Sequence, residues 1–123
     1  MSVKATQVPA PTQIANTYKP SPGNKWVMYN ATVTNVNATD RPVWSGLFLL
    51  RDSNGYVYRT DLSVNPSQYS NPFPSGNTMT QPGDKVNGIL LFQVPQNAKL
   101  TALVYDDHQV AHNDWRGNVT VKL

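Results

Sequence analysis

The densest set of metal-capable side chains is Asp106, Asp107, His108, His112 and Asp114, all within the stretch DDHQVAHND. Imidazole nitrogens beside carboxylate oxygens suit zinc or another borderline metal better than calcium. The spacing does not deliver a ready-made site. On a strand, His108 and His112 would stand about 13 Å apart, too far to share one ion. A turn or loop would have to curl His108, His112 and Asp114 together. The plainer expectation for Asp106 to Asp114 is a solvated loop ahead of Trp115, with no metal and no cofactor. A small-ligand or metal site in this loop is the alternative reading.

Other catalytic arrangements fare worse. Asp106 and Asp107 are neighbours, so in extended chain they point to opposite faces. A glycosidase pair needs two carboxyls facing one substrate at about 5–9 Å. No G-x-S-x-G elbow occurs, and both histidines lie four residues apart in one loop. The expectation is that the protein is not an enzyme. Asp52-Ser53-Asn54-Gly55 looks like the start of a calcium loop, but Tyr56 to Tyr58 supply no further ligands and no glutamate follows, so it reads as a hairpin turn. Trp26, Trp44, Trp115, Tyr56 and Tyr58 could form a sugar-binding platform; core packing is the commoner use of such side chains. The three N-x-S/T sequons, at Asn30, Asn37 and Asn118, are about what chance gives in a chain with thirteen asparagines.

The charge balance points the same way. The net charge is +3, yet the ten Lys and Arg are scattered singly from Lys4 to Lys122. The basic pI of about 9.3 comes from a complete lack of glutamate rather than from a basic patch. Nucleic-acid surfaces cluster their cations among aromatics, so no nucleic-acid partner is expected. Without cysteine there is no disulfide and no thiolate chemistry. No 18-residue apolar run exists, so no membrane span is expected, and residues 1–16 lack the apolar core of a signal peptide.

The elements that must position these residues read as strands. Ten prolines and seven glycines in 123 residues favour turns over helices. Residues 1–12 are expected to be a linker or a loosely attached N-terminal segment, at most a first strand whose ladder Pro9 and Pro11 limit. Residues 13–123 form one domain. Ile14 to Tyr18 reads as a short edge strand. Trp26 to Thr34 alternates Val27, Tyr29, Ala31 and Val33 against Asn30, Thr32 and Thr34. Val43 to Arg51 reads as one strand covered on both faces, because Leu47 to Leu50 is continuously apolar. Asn54-Gly55 is expected to supply positive φ values, after which Tyr56 to Leu62 forms the hairpin's return strand. Ser63 to Gln81 shows no usable periodicity and is long for an unstructured connection. The strongest strand follows the turn at Pro82-Gly83: Val86, Gly88, Leu90, Phe92 and Val94 alternate with polar residues up to Pro95, although Ile89 and Leu91 give its middle a second apolar face. Leu100 to Tyr105 and Asn118 to Leu123 complete the set. The pattern is all-β, an immunoglobulin-like antiparallel β-sandwich of about seven strands.

Three motifs carry a resemblance. They are the aromatic-led strand ending in Thr34-Asn35; Asp52, Gly55 and Tyr58 spaced as Asp-x-x-Gly-x-x-Tyr; and Pro82-Gly83 followed by Gly88, Leu90, Phe92, Val94 and Pro95 as Gly-x-Leu-x-Phe-x-Val-Pro. Together they resemble the immunoglobulin-like domain of unknown function found in bacterial and archaeal secreted proteins and lipoproteins, some labelled telomeric-repeat-binding-factor-like. The likeness runs from about residue 13 to the end. It implies an extracytoplasmic β-sandwich and brings no catalytic residues with it. The chain carries no lipid-attachment cysteine.

The function expected on these grounds is a non-catalytic, secreted or cell-surface module that binds a protein or cell-envelope component, self-association included. Something must cover the second apolar face of the central strands. The Ser63–Gln81 connection holds Tyr69 and Phe73, and a loop carrying aromatics on a rigid scaffold is a plausible recognition surface. Tyr69 and Phe73 are therefore the expected partner contacts; packing on the body is the alternative.

Overall fold

The computed structural model describes residues 2–14, 17–36, 40–106 and 119–123. Among these residues nine strands form: β1 (Ser2–Val8), β2 (Asn24–Thr34), β3 (Arg41–Val43), β4 (Phe48–Asp52), β5 (Val57–Arg59), β6 (Asn77–Met79), β7 (Lys85–Pro95), β8 (Leu100–Tyr105) and β9 (Val119–Lys122). Two single 3₁₀ turns, Ser45–Leu47 and Pro66–Gln68, are the only helical pieces among the described residues. One sheet has the order β1-β2-β7 and the other β5-β4-β8-β9, while β3 and β6 pair separately; every named pair is antiparallel.

The β2–β7 ladder is the frame. It runs unbroken from Asn24↔Pro95 to Thr34↔Lys85. Its inward residues follow the alternation of the sequence: Val27, Tyr29, Ala31 and Val33 from β2 meet Val86, Leu90, Phe92 and Val94 from β7 in one buried cluster. The second sheet contributes Phe48, Leu50, Leu103 and Tyr105 to it. Edge-on ring contacts lie within each layer, Tyr29 with Phe92 at 6.3 Å in the first sheet and Phe48 with Tyr105 at 5.2 Å in the second, between centroids. Such geometry sets the positive rim of one ring against the negative face of the other.

The three sequence motifs are joints in this frame. Pro82-Gly83 makes the turn into β7, with Gly83 at φ +91°. Asn35 closes that turn from the far end of β2: its N–H donates to the Asp84 carbonyl at 2.8 Å, its carbonyl accepts from Gly83 N–H at 2.7 Å, and its side chain donates to the Gln81 carbonyl. Asp52 closes the β4–β5 hairpin, accepting from the N–H groups of Asn54 and Tyr56 and from the Tyr58 hydroxyl at 2.7 Å. The Asn54-Gly55 expectation needs a correction. Gly55 has φ +86°, but Asn54 is not left-handed. Asp52 and Tyr56 close a three-residue loop, and such loops need only their last residue left-handed.

Of the two expectations for the N-terminal segment the strand forms: residues 2–8 are β1, paired with β2 over seven positions and followed by Pro9 and Pro11. Three further expectations change. Ile14 and Tyr18 do not belong to an edge strand but pair with each other through reciprocal backbone hydrogen bonds, residues 15 and 16 lying outside the described residues. The strand expected from Val43 to Arg51 is two elements in different sheets. The 3₁₀ turn at Ser45–Leu47 separates β3 from β4, and Ser45 N–H donates to the Pro74 carbonyl at 3.0 Å. Leu47 is fully buried within that turn, so the apolar run does not mark a strand covered on both faces. Finally, Ser63–Gln81 holds the Pro66–Gln68 turn and β6, and lies against β7.

On the outer face of the second sheet two cross-strand rows stand side by side. One runs Arg59, Leu49, Val104, Thr120, and the next Val57, Arg51, Ala102, Lys122.

Candidate functional site

The outer face of the first sheet is where irregular chain gathers. Trp26 and Met28 of β2 and Leu91 of β7 point away from the main core, and Ile14 and Val64 close over them. Val8, Ala10, Tyr18, Tyr69 and Ile89 pack around this second cluster. The apolar second face of β7 is thus covered from within the chain, by the segment following β1 and by the segment following β5.

A hydrogen-bond network pins both segments at Trp26. The indole N–H donates to the Asp61 carboxylate at 3.2 Å, and the same oxygen accepts from Gln93 Nε2 at 3.0 Å. Gln93 Oε1 in turn accepts from Ser21 N–H and from Asn24 Nδ2. Burial pushes the Asp61 carboxyl up, but hydrogen bonds from Ser63, Gln93 and Trp26 outweigh it and hold the group below the usual carboxylate range. The Asp52 carboxyl is also held low, chiefly by the Tyr58 hydroxyl, whose own pKa is pushed up to about 12. Both carboxylates are saturated by fixed donors of their own fold. They are structural anions, poorly suited to exchanging protons with a substrate.

Beside this network lies an open cavity of about 370 Å³, within the size range of small-ligand sites. Pro11 and Thr12 form one wall and Pro20 another, with Trp26 behind; Lys25, Asn24 and Gln96 supply polar groups. None of these residues belongs to a recognisable motif. They are brought together from three separated parts of the chain, and only the second apolar face of Ile89 and Leu91 hints that a layer forms here.

The residues expected to contact a partner separate. Phe73 is 3% exposed and packs edge-on against Phe48 at 5.1 Å, inside the main core. Its N–H donates to the Ile89 carbonyl, so a partner could reach the ring only if this segment left the body. Tyr69 is half-buried at the rim of the outer cluster. Burial pushes its hydroxyl pKa up, with a smaller push from the Asp61 charge. Among the described residues no group of three metal-capable side chains occurs. His108, His112 and Asp114 lie outside the described residues, as does Trp115. Of the other proposed platform aromatics, Trp26 is buried, Trp44 and Tyr58 pack against the core, and Tyr56 is exposed.

Residues 1–115 match the family described as Domain of unknown function (DUF4352). The chain belongs to this family. No curated protein matches it. Among solved structures, the ycdA protein of Bacillus subtilis subsp. subtilis str. 168, proposed to be a lipoprotein, is similar over 98% of this chain, with a TM-score of 0.69 and 20% identity. This DUF4352 chain spans only 36% of that structure. The yjhA protein of Bacillus subtilis aligns over 91% of this chain and 81% of its own, at TM-score 0.58 and 23% identity. A secreted protein of Mycobacterium tuberculosis, MPT63, aligns over 98% and 82%, at TM-score 0.57 and 15% identity. These likenesses concern the fold. No described helix of the domain is long and apolar enough to cross a membrane.

Proposed function

We propose that this DUF4352 domain is a non-catalytic recognition module working outside the cytoplasm, and that it binds a protein or cell-envelope component through the layer over the outer face of β2 and β7. The observation carrying this reading is the construction of that layer. Two irregular segments are anchored on a rigid ladder by the Trp26–Asp61–Gln93 network, and the first of them encloses an open cavity of about 370 Å³ with the start of β2 and Gln96. Loops held on a stiff scaffold can vary in shape without loss of the fold, the usual arrangement of a binding surface. Tyr69 at the rim is the aromatic contact, and Thr12, Lys25 and Gln96 in the cavity wall supply its polar part. The Asp52 and Asp61 carboxylates are occupied by hydrogen bonds of the fold, which favours binding over catalysis. The secreted and lipoprotein descriptions of two similar structures support an extracytoplasmic location.

The test is sedimentation of the purified chain with a cell-envelope fraction. Tyr69→Ala and the cavity-filling Thr12→Arg should each weaken binding at least about tenfold, which corresponds to about 1.4 kcal/mol. The thermal midpoint of Thr12→Arg should stay near the parent's, because Thr12 is exposed, whereas Tyr69→Ala should lose a few degrees with the packing of its half-buried ring. Undiminished binding by both variants would remove this layer as the site.

A further inference from the structure

The second sheet carries a different surface, on the side facing away from the layer just described. Its two outer rows hold Arg59, Arg51 and Lys122 on three strands, and no carboxylate. All three cations are exposed. Between them Ala102 and Val104 are only 7% and 6% exposed. Among the described carboxylates, Asp52 and Asp61 are held by hydrogen bonds of the fold, Asp84 caps the Pro82-Gly83 turn through the Thr80 and Gln81 N–H groups, and half-buried Asp106 follows β8 beyond the two rows.

Charge alone would suit any polyanion, but the rim of this face narrows the choice. Val57, in the same row as Arg51 and Lys122, is 52% exposed. A hydrated soluble polyanion gives such a side chain nothing to enter. The boundary between lipid head groups and acyl chains does.

We propose that this face docks on an anionic lipid surface. Arg51, Arg59 and Lys122 meet the phosphodiester head groups while Val57 enters the head-group boundary. The docking leaves the Trp26–Asp61 layer on the opposite sheet free, so the two surfaces work independently.

The experiment is co-sedimentation of the full chain with large vesicles of phosphatidylcholine, alone or with a third replaced by phosphatidylglycerol. Binding should require phosphatidylglycerol and weaken as salt rises, because exposed charges are screened. Each cation near an anionic membrane contributes about fivefold, so R51Q/R59Q/K122Q should bind about a hundredfold more weakly. The variant K4Q/K19Q/K85Q removes the same charge elsewhere and should bind within about threefold of the parent. V57S should lose a few-fold with its salt dependence unchanged. Thermal melts confirm that each variant is folded, and the parent's preference between the two vesicles does not depend on any variant. Equal binding to neutral vesicles overturns the proposal, as does an equal loss in the control triple. Unchanged binding of V57S, or binding to soluble polyglycerol phosphate without binding to vesicles, removes the lipid as the partner.

Discussion

Gly88 is the residue that binds the long connection to the frame. A Cβ built there would stand 2.3 Å from the Phe73 Cα and 2.5 Å from its N. Backbone cannot swing aside as a side chain can, so Gly88→Ala must push residues 71–73 off β7. The bonds from Phe73 N–H to the Ile89 carbonyl and from Ile89 N–H to the Asn71 carbonyl would go with them. An expected loss of about 3 kcal/mol follows from overpacking plus disturbed burial of Phe73. Gly76→Ala is the control, since nothing lies within 4 Å of its Cβ and its φ is not left-handed; it should stay within about 0.5 kcal/mol in urea unfolding. The Asp52–Tyr58 pair gives a second residue-scale expectation. Asp52 titrates below its ordinary value, so its contribution is present above about pH 4 and fades as pH falls through the lower, folded pKa. Tyr58 is raised to about 12, so its contribution holds below about pH 10 and is lost between there and about 12. Tyr58→Phe should therefore lower stability near neutrality, and its deficit should shrink at both pH extremes. A deficit independent of pH would mean that the hydroxyl acts by packing alone. These joints were legible in the sequence as motif positions, because turns demand particular residue types locally.

Elements were legible where one face is buried and hidden where tertiary contact decides. The alternation of β2 and β7 is a local property of the chain, and both strands form where the sequence places them. The run from Val43 to Leu50 misleads, because it is apolar for two reasons. Val43 enters the core from β3, Leu47 enters it from a 3₁₀ turn, and Phe48 and Leu50 enter it from β4. Periodicity cannot separate those causes. The Ser63–Gln81 connection misleads in the opposite direction, since its order comes from neighbours distant in sequence. Asp61 N–H donates to the Leu91 carbonyl at 2.8 Å, and Val64 is 1% exposed. A substitution pair tests whether this element is part of the body. Val64→Ala removes two buried carbons and should cost about 2 kcal/mol. Leu62→Ala, at a position 81% exposed, should be neutral within about 0.5 kcal/mol. Similar behaviour of the two would show the segment to be detached in solution. The candidate site was the least legible part. Trp26, Asp61 and Gln93 are more than thirty positions apart pairwise, and no spacing rule connects them.

At the scale of the whole molecule the two sheets are unequal. β2 has partners on both sides, β1 over seven positions and β7 over its full length. β7 is paired along one edge by β2 and touched along the other at Thr60 and Pro72. Around Trp26, Met28 and Leu91 the ladder is covered on both faces. β5, by contrast, has three residues at the edge of the second sheet, with Val57 and Arg59 exposed. Amides at such edges open at lower free energy than amides between two strands and two layers. Native-state hydrogen exchange should therefore rank the molecule. Amides of Val27 to Ala31 and Ile89 to Phe92 should exchange only by global unfolding, with one shared free energy and one denaturant slope. Amides of β1, β5 and β9 should open earlier, with shallower slopes, because less surface is exposed in those openings. The order matters for binding, since both proposed surfaces rest on strands of different protection. The Trp26–Asp61 layer stands on the most protected ladder and should present one fixed shape, whereas Val57 sits on an edge that can adjust to what it meets. If β5 exchanged as slowly as β2, the sandwich would be a single cooperative block and that contrast would vanish.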